Sequence, residues 1–299
     1  MSIGLSPPAT VAQPVLAAPR TPWSDPWARL RRDKLALTAA AYLLGALAVS
    51  ALAPWLAFVR DPALQDLALG AAPPSAAHWL GTDELGRDLF ARVLFGGRVS
   101  LIIGIVGTLV SVLVGVTWGA IAGYAGGRID EAMMRIVDVL YSLPYLFLVI
   151  LLLVFFERSL VLLFVALGLV QWLTMARIVR GQVLSLKTRA FVEAARALGA
   201  GDGRIVLRHL VPNTLGPVIV YATLTVPAVI LQEAFLSFLG LGVQPPAASW
   251  GTLVADGARV MAIFPWLLVF PGLALSLTLL AFHFLGDGLR DALDPQSRR

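Results

Sequence analysis

A chain of 299 residues has the length of about two soluble domains at roughly 150 residues each, yet 58% of its residues are hydrophobic, only 14% are charged, and its mean hydropathy is +0.82. Soluble proteins carry about 25% charged residues, so this composition excludes an ordinary soluble globule and makes lipid the solvent for most of the surface. The net charge is +5 and there is no cysteine, which excludes disulfide frameworks, thiolate zinc sites and thiol nucleophiles, while His78, His209 and His283 are too scattered to suggest a metal site.

The hydrocarbon core of a bilayer is about 30 Å thick, so a crossing helix needs around 20 apolar residues. Six charge-free runs meet that length: 35–59, 99–125, 139–156, 159–176, 214–231 and 263–282. They are apolar on every face and read as helices, because barrel strands would alternate with polar lumen positions. The expected fold class is therefore all-α, a polytopic membrane protein with six transmembrane helices.

Before the first run lies a segment, 1–34, with Arg29, Arg31, Arg32 and Lys34 at its end. Ala51-Leu52-Ala53 has the look of a signal-peptide cleavage site, but the run continues through Trp55, Leu56 and Phe58. The polar leader is also long for a signal, so 35–59 is expected to stay as an anchor. The next loop, 60–98, ends in Gly81-Thr82-Asp83-Glu84-Leu85-Gly86-Arg87-Asp88. Thr82 or Asp83 is expected as an N-cap, and Leu85, Leu89 and Val93, four apart, predict a short amphipathic helix at the outer interface.

In the second run Gly104, Gly107, Ser111, Gly115 and Gly119 recur every three or four residues, a face that lets another helix approach closely. Asp138, at the start of the third run, is expected to have Arg135 as a local partner. Pro144, Pro227, Pro265 and Pro271 fall inside apolar segments, where each removes a backbone hydrogen bond and favours a kink.

The loop at 177–213 is the most informative. Phe191, Ala195 and Leu198 are expected on one helical face, flanked by Glu193 and Arg196, with Gly199, Gly201 and Gly203 ending the helix. A short, Ala-rich, exposed helix suits docking into another protein's groove. Beyond the fifth run, Gln232 and Glu233 place polar chemistry in apolar surroundings. A carboxylate at that depth tends to face a bundle interior or a water-filled cavity, so both are candidates for a translocation pathway. His283 is expected to be a hydrogen-bonded structural residue.

Lys and Arg favour cytoplasmic loops. With the N-terminus inside, 17 of the 23 basic residues fall on the cytoplasmic side and 6 outside. The positive excess is thus topological, and a nucleic-acid partner is not expected.

Glu193-Ala194-Ala195, Gly199 and His209-Leu210-Val211-Pro212 resemble the EAA signature of ABC importer permeases, EAA-x3-G-x9-I-x-L-P, with His209 and Val211 departing from the consensus. Gly81 to Asp88, Arg98-Val99-Ser100-Leu101 and Asp138-Val139-Leu140-Tyr141-Ser142-Leu143-Pro144 are similar to the dipeptide/oligopeptide/nickel subfamily, its C-type subunit in particular. The likeness covers roughly residues 27 to 295.

The resemblance implies a type I importer permease fold in a bacterial cytoplasmic membrane with both termini cytoplasmic. It divides the chain into an N-terminal segment 1–34, a first span 35–59, an outer loop 60–98, a five-helix core 99–285 that includes the loop 177–213, and a tail 286–299. It implies an ATPase-docking coupling helix made by Phe191, Glu193, Ala194, Ala195, Arg196, Leu198 and Gly199, with Pro212 following. It also implies, besides lipid, a homologous second permease, two cytoplasmic ATPase subunits and an external solute-binding protein as partners.

The only lysines, Lys34 and Lys187, lie outside any Gly-Lys-Ser/Thr sequence, so the phosphate cradle of a Walker A loop is missing. No cofactor is expected in this chain; ATP and Mg belong to the partner ATPases. Dipeptides or oligopeptides are the expected cargo, with nickel chelates or glutathione-type substrates as the alternative. From other classes come an ion-driven secondary transporter, for which only Glu233 and His283 offer intramembrane relays and no repeat is evident, and a membrane scaffold.

Overall fold

The computed structural model describes residues 24–155 and 160–293; the expectations for 1–23 and for the end of the tail, 294–299, fall outside them. Among the described residues the chain is helical throughout its regular structure. Asp33 opens the first long helix: its Oδ1 accepts the backbone N–H groups of Leu35 and Ala36 at 2.9 and 3.1 Å, satisfying two donors that a helix start leaves unpaired. This helix, α2 (Lys34–Leu52), follows a short α1 (Ser24–Leu30). The chain then has no long helix until α3 (Leu89–Ala125), after which come α4 (Gly127–Ser142), α5 (Tyr145–Phe155) and α6 (Leu160–Leu186). Two short helices, α7 (Ala190–Ala197) and α8 (Asp202–Ile205), lead into α9 (Val211–Phe238), α10 (Trp250–Val260) and α11 (Trp266–Leu293).

Lys34–Trp55, Leu89–Ala125, Asp202–Phe238 and Trp266–Leu293 are each long and apolar enough to cross a membrane, and α4 with α5 makes a fifth unit bent by 88°. The 27 residues of α6 reach about 40 Å at 1.5 Å per residue, more than the hydrocarbon core requires. Each of the six apolar runs thus has a helical counterpart.

The boundaries differ in instructive ways. No separate amphipathic helix precedes the second run; Leu89 begins a helix that continues unbroken to Ala125. Its N-cap is Asp88, whose Oδ1 accepts from Ala91 N–H at 2.9 Å, and not Thr82 or Asp83. The third run is not one helix. Pro144 has no N–H to continue α4, and the residue before it, Leu143, sits in extended conformation, as a residue preceding proline prefers. Pro227 and Pro271 lie inside unbroken helices, whereas Pro265 precedes α11. Asp138 pairs with Arg177 of α6 at 2.9 Å rather than with its helix neighbour Arg135.

The glycine face of α3 does what its spacing suggests. A Cβ at Gly119 would collide with the carbonyl oxygen of Ala176, one at Gly115 would lie 2.6 Å from the Met175 Cβ, and one at Gly168 would lie 2.7 Å from the Gly107 carbonyl oxygen. Backbones this close gain dispersion contacts that lipid cannot supply. Around the α3–α6 pair, α9 packs on both; α11 packs against α2, α9 and α10, and α1 lies along α11.

Gly119→Ala is expected to destabilise the subunit in detergent by roughly 1–3 kcal/mol through overpacking. Gly181→Ala, in open space on α6, should leave stability equal or raise it by up to about 1 kcal/mol. Thermal unfolding of the purified subunit measures both.

Candidate functional site

The loop between α6 and α9 is held at one end of the bundle. Val192 of α7, Ile205 of α8 and Leu210 are buried in a cluster with Ala120, Val179 and Val183. Polar ties add to this: Lys187 Nζ donates to the Gly123 carbonyl at 2.9 Å, and the Tyr124 hydroxyl donates to Asp202 Oδ1 at 2.5 Å. Arg196 hydrogen-bonds the same phenol, which holds its guanidinium above the ordinary arginine value.

Gly199, at φ +80°, ends α7 in a Schellman turn. Its N–H donates to Arg196 O and that of Ala200 to Ala195 O, both at 3.0 Å, the two bonds that define the motif. Between α8 and α9, residues Val206–Leu210 widen into a π turn, with Val211 N–H reaching back to Val206 O.

Phe191, Glu193, Ala194, Arg196, Leu198 and Gly199 are all exposed. Leu198 stands out, at 89%. Ala195 is turned inward and buried beside Val192, so it anchors α7 to the bundle and does not share an outer face with Phe191 and Leu198. Pro212, exposed, is the second residue of α9. Leu207, 73% exposed, adds an apolar side chain to this end that sequence reasoning missed, because its segment is too short to show a period.

At the α4–α5 break lies a cavity of about 360 Å3. Leu140, Tyr141, Leu143, Pro144, Tyr145 and Leu148 line it from the broken helices, and Gln171 and Thr174 from α6 face Gln232 of α9. Arg177, paired with Asp138, lies over the Tyr141 ring, 4.2 Å from its centroid. Gln171 and Thr174, three apart in an apolar run, were the available signal for this site.

Gln232 and Glu233 part company here. Glu233 is fully buried; its Oε1 accepts the hydroxyls of Ser237 and Ser249, both at 2.7 Å. Ser249 is also the N-cap of α10, in a capping box with Thr252. Trp250 then ties α10 to α3, its N–H donating to Ser100 Oγ at 3.0 Å and its indole Nε1 to Val93 O at 2.9 Å. Glu233 thus fastens α9 to the start of α10 through Oε1, while its Oε2 is buried and has no hydrogen-bond partner among the described residues.

The Gly81–Asp88 segment folds into a cap on α3. Asp83 Oδ1 accepts from Leu85 and Arg87 N–H at 3.0 and 2.9 Å, and its Oδ2 pairs with Arg87 and the buried Arg92. Asp88 Oδ2 lies 2.8 Å from His78 Nδ1.

Membrane-length helices, with an open cavity at the α4–α5 break and a short exposed helix clamped at one end, define a polytopic membrane protein. Residues 115–299 match the binding-protein-dependent transport system inner membrane component family, and residues 21–74 match the N-terminal TM domain of oligopeptide transport permease C. The oligopeptide transport system permease protein OppC of Haemophilus influenzae is 48% identical over 93% of this chain and 90% of its own. The dipeptide transport system permease protein DppC of Bacillus subtilis is 50% identical over 92% and 86%, and the glutathione transport system permease protein GsiD of Pectobacterium atrosepticum 40% over 93% and 92%. A solved structure of the MetNI methionine ABC transporter in an inward-facing conformation shares the fold, with a TM-score of 0.55 at 20% identity over 67% of this chain and 94% of that one. The chain belongs to the ABC importer permease family, as a multi-pass, non-enzymatic component of the inner membrane.

Glu233→Ala would leave the Ser237 and Ser249 hydroxyls without their acceptor, at a cost of roughly 1–3 kcal/mol. It is expected to lower the amount of folded subunit, with uptake falling in proportion; Glu233→Gln, which keeps an acceptor oxygen, should retain most of both. Fluorescence-detected size exclusion read beside uptake measures the two together.

Proposed function

We propose that this chain is the C-type permease of an ATP-driven importer of dipeptides or oligopeptides. It works with a homologous second permease, two cytoplasmic ATPases that use ATP and Mg, and an external solute-binding protein. The observation that carries the reading is the exposed helix α7. Its Phe191 and Leu198 offer apolar anchors, while Val192 and Ala195 bolt it to the bundle. A groove on an ATPase that takes up Leu198 and Phe191 therefore grips the whole α3–α6 pair, and ATP-driven closure of two such grooves changes the access of the pathway.

The peptide cargo is supported by relatives named for dipeptide and oligopeptide transport at 48–50% identity, against 40% for the glutathione permease. The basic-residue bias supports both termini, and α7, on the cytoplasmic side.

Leu198→Asp changes a side chain that is almost wholly in solvent, where substitutions usually move stability by less than about 0.5 kcal/mol. It should nonetheless reduce ATPase copurification and peptide uptake by roughly tenfold or more, the scale of a lost interface anchor. Peptide uptake that survives ATP depletion but collapses with the ion gradient would overturn the reading. Because the chain has no cysteine, topology is directly readable: an impermeant thiol reagent should label Glu84→Cys in intact cells and Leu207→Cys only after the membrane is opened.

A further inference from the structure

We infer that the cavity at the α4–α5 break is a transit site that holds the peptide backbone through neutral amide and hydroxyl groups, so that passage through this subunit is indifferent to the charge of the peptide's side chains. The inference rests on the peptide-importer reading and deepens it.

The first observation is the lining. Gln171, Thr174, Gln232, Tyr141 and Tyr145 can each donate and accept hydrogen bonds; the remaining lining side chains are apolar, and no ionised group is among them. Gln232 Oε1 is buried and accepts no hydrogen bond among the described residues. A volume of about 360 Å3 falls within the ~300–1,000 Å3 of small-ligand sites.

The second observation is the backbone. An 88° break between α4 and α5 interrupts the helical ladder within an apolar stretch. Interrupted backbone at membrane depth persists where it is buried in protein or lines a cavity, and transporters place broken helices at their binding sites. Here Leu140, Tyr141 and Leu143 from the end of α4 and Pro144, Tyr145 and Leu148 from the start of α5 line the cavity. Glutamine side chains are amides themselves, so Gln171 and Gln232 match the alternating donors and acceptors of a peptide.

Charge is kept just outside. Arg177, over the Tyr141 ring, is neutralised by Asp138, and Glu233 faces the α10 side, held by Ser237 and Ser249. An acidic, neutral or basic residue of the cargo therefore meets no fixed charge of either sign in the cavity, which avoids the selection that a lone buried charge imposes.

The test uses the whole importer in proteoliposomes with three peptides of equal length, one neutral, one with a glutamate and one with a lysine, and uptake expressed per assembled complex. Gln232→Leu and Gln171→Leu are each expected to lower uptake roughly 3–10-fold, the effect of one lost hydrogen bond, and by the same factor for all three peptides. Gln232→Glu, of equal volume, should break that equality by favouring the lysine peptide over the glutamate peptide. Undiminished uptake in the leucine variants, a loss confined to one charge class, or loss of the second permease from the purified complex would each overturn the assignment, the last because the partner subunit would then be the cavity's occupant. A wild-type importer that moves none of the three peptides would instead overturn the peptide reading itself.

Discussion

The close approach of α3 and α6 is the constraint on which the rest of the molecule depends. In lipid no hydrophobic force draws helices together, so association rests on dispersion at short range and on hydrogen bonds. Gly115 and Gly119 of α3 and Gly168 of α6 bring backbone against side chain or backbone along the whole length of the pair. Gly104 and Gly107 then admit Ile230, Val226 and Val229 of α9. The loop with α7 inherits its position from the same pair, since Tyr124, Lys187, Val179 and Val183 all belong to α3, α6 or the residue just past them. A force applied at α7 therefore reaches the bundle through a rigid two-helix unit.

The charges obey a second constraint, that an ion near hydrocarbon must be paired. Arg92 is buried at the start of α3 and meets Asp83, which is held in turn by Arg87 and by two backbone N–H groups. At the other end Asp130 takes two hydrogen bonds from Arg180 at 2.6 and 2.8 Å, the two-pronged geometry that gives such pairs their strength and direction. Removing one member of a buried pair such as Arg92–Asp83 typically costs about 3–5 kcal/mol, and less for Asp130–Arg180, where the arginine is partly in solvent; the two pairs tie the start of α3 to its cap and α4 to α6. Between the two ends, hydroxyls, amides and the buried carboxyl group of Glu233 carry the polar chemistry.

Much of this is legible in the amino-acid sequence. Composition and run length establish the membrane class, and the glycine spacing marks the face of α3 that packs. Gly199, expected as a helix stop, is the left-handed residue of a Schellman turn. What cannot be read are properties that pairs of elements decide. Run length does not separate one straight span from the α4–α5 elbow, because both leave the same apolar string and only the proline hints at a break. Helical spacing puts Ala195 beside Phe191 and Leu198, but which edge of that arc faces protein is decided by the α3–α6 surface beneath it. Asp88 looks like the end of a loop motif, yet it caps α3. Glu233 and Gln232 are neighbours in sequence and about 100° apart on a helix; only the position of α10 decides which meets the cavity.

That last angle gives the π turn at Val206–Leu210 a meaning beyond its own loop. One residue more than an α-helical turn sits between α8, fixed to α3 through Asp202, and α9. Taking it out while α8 stayed clamped would advance the phase of all of α9 by about 100°, carrying Gln232 away from the α4–α5 elbow and pulling Glu233 off its serines. The chemistry of the cavity is thus dialled in about six helical turns away, by the winding of the backbone at the opposite end of α9.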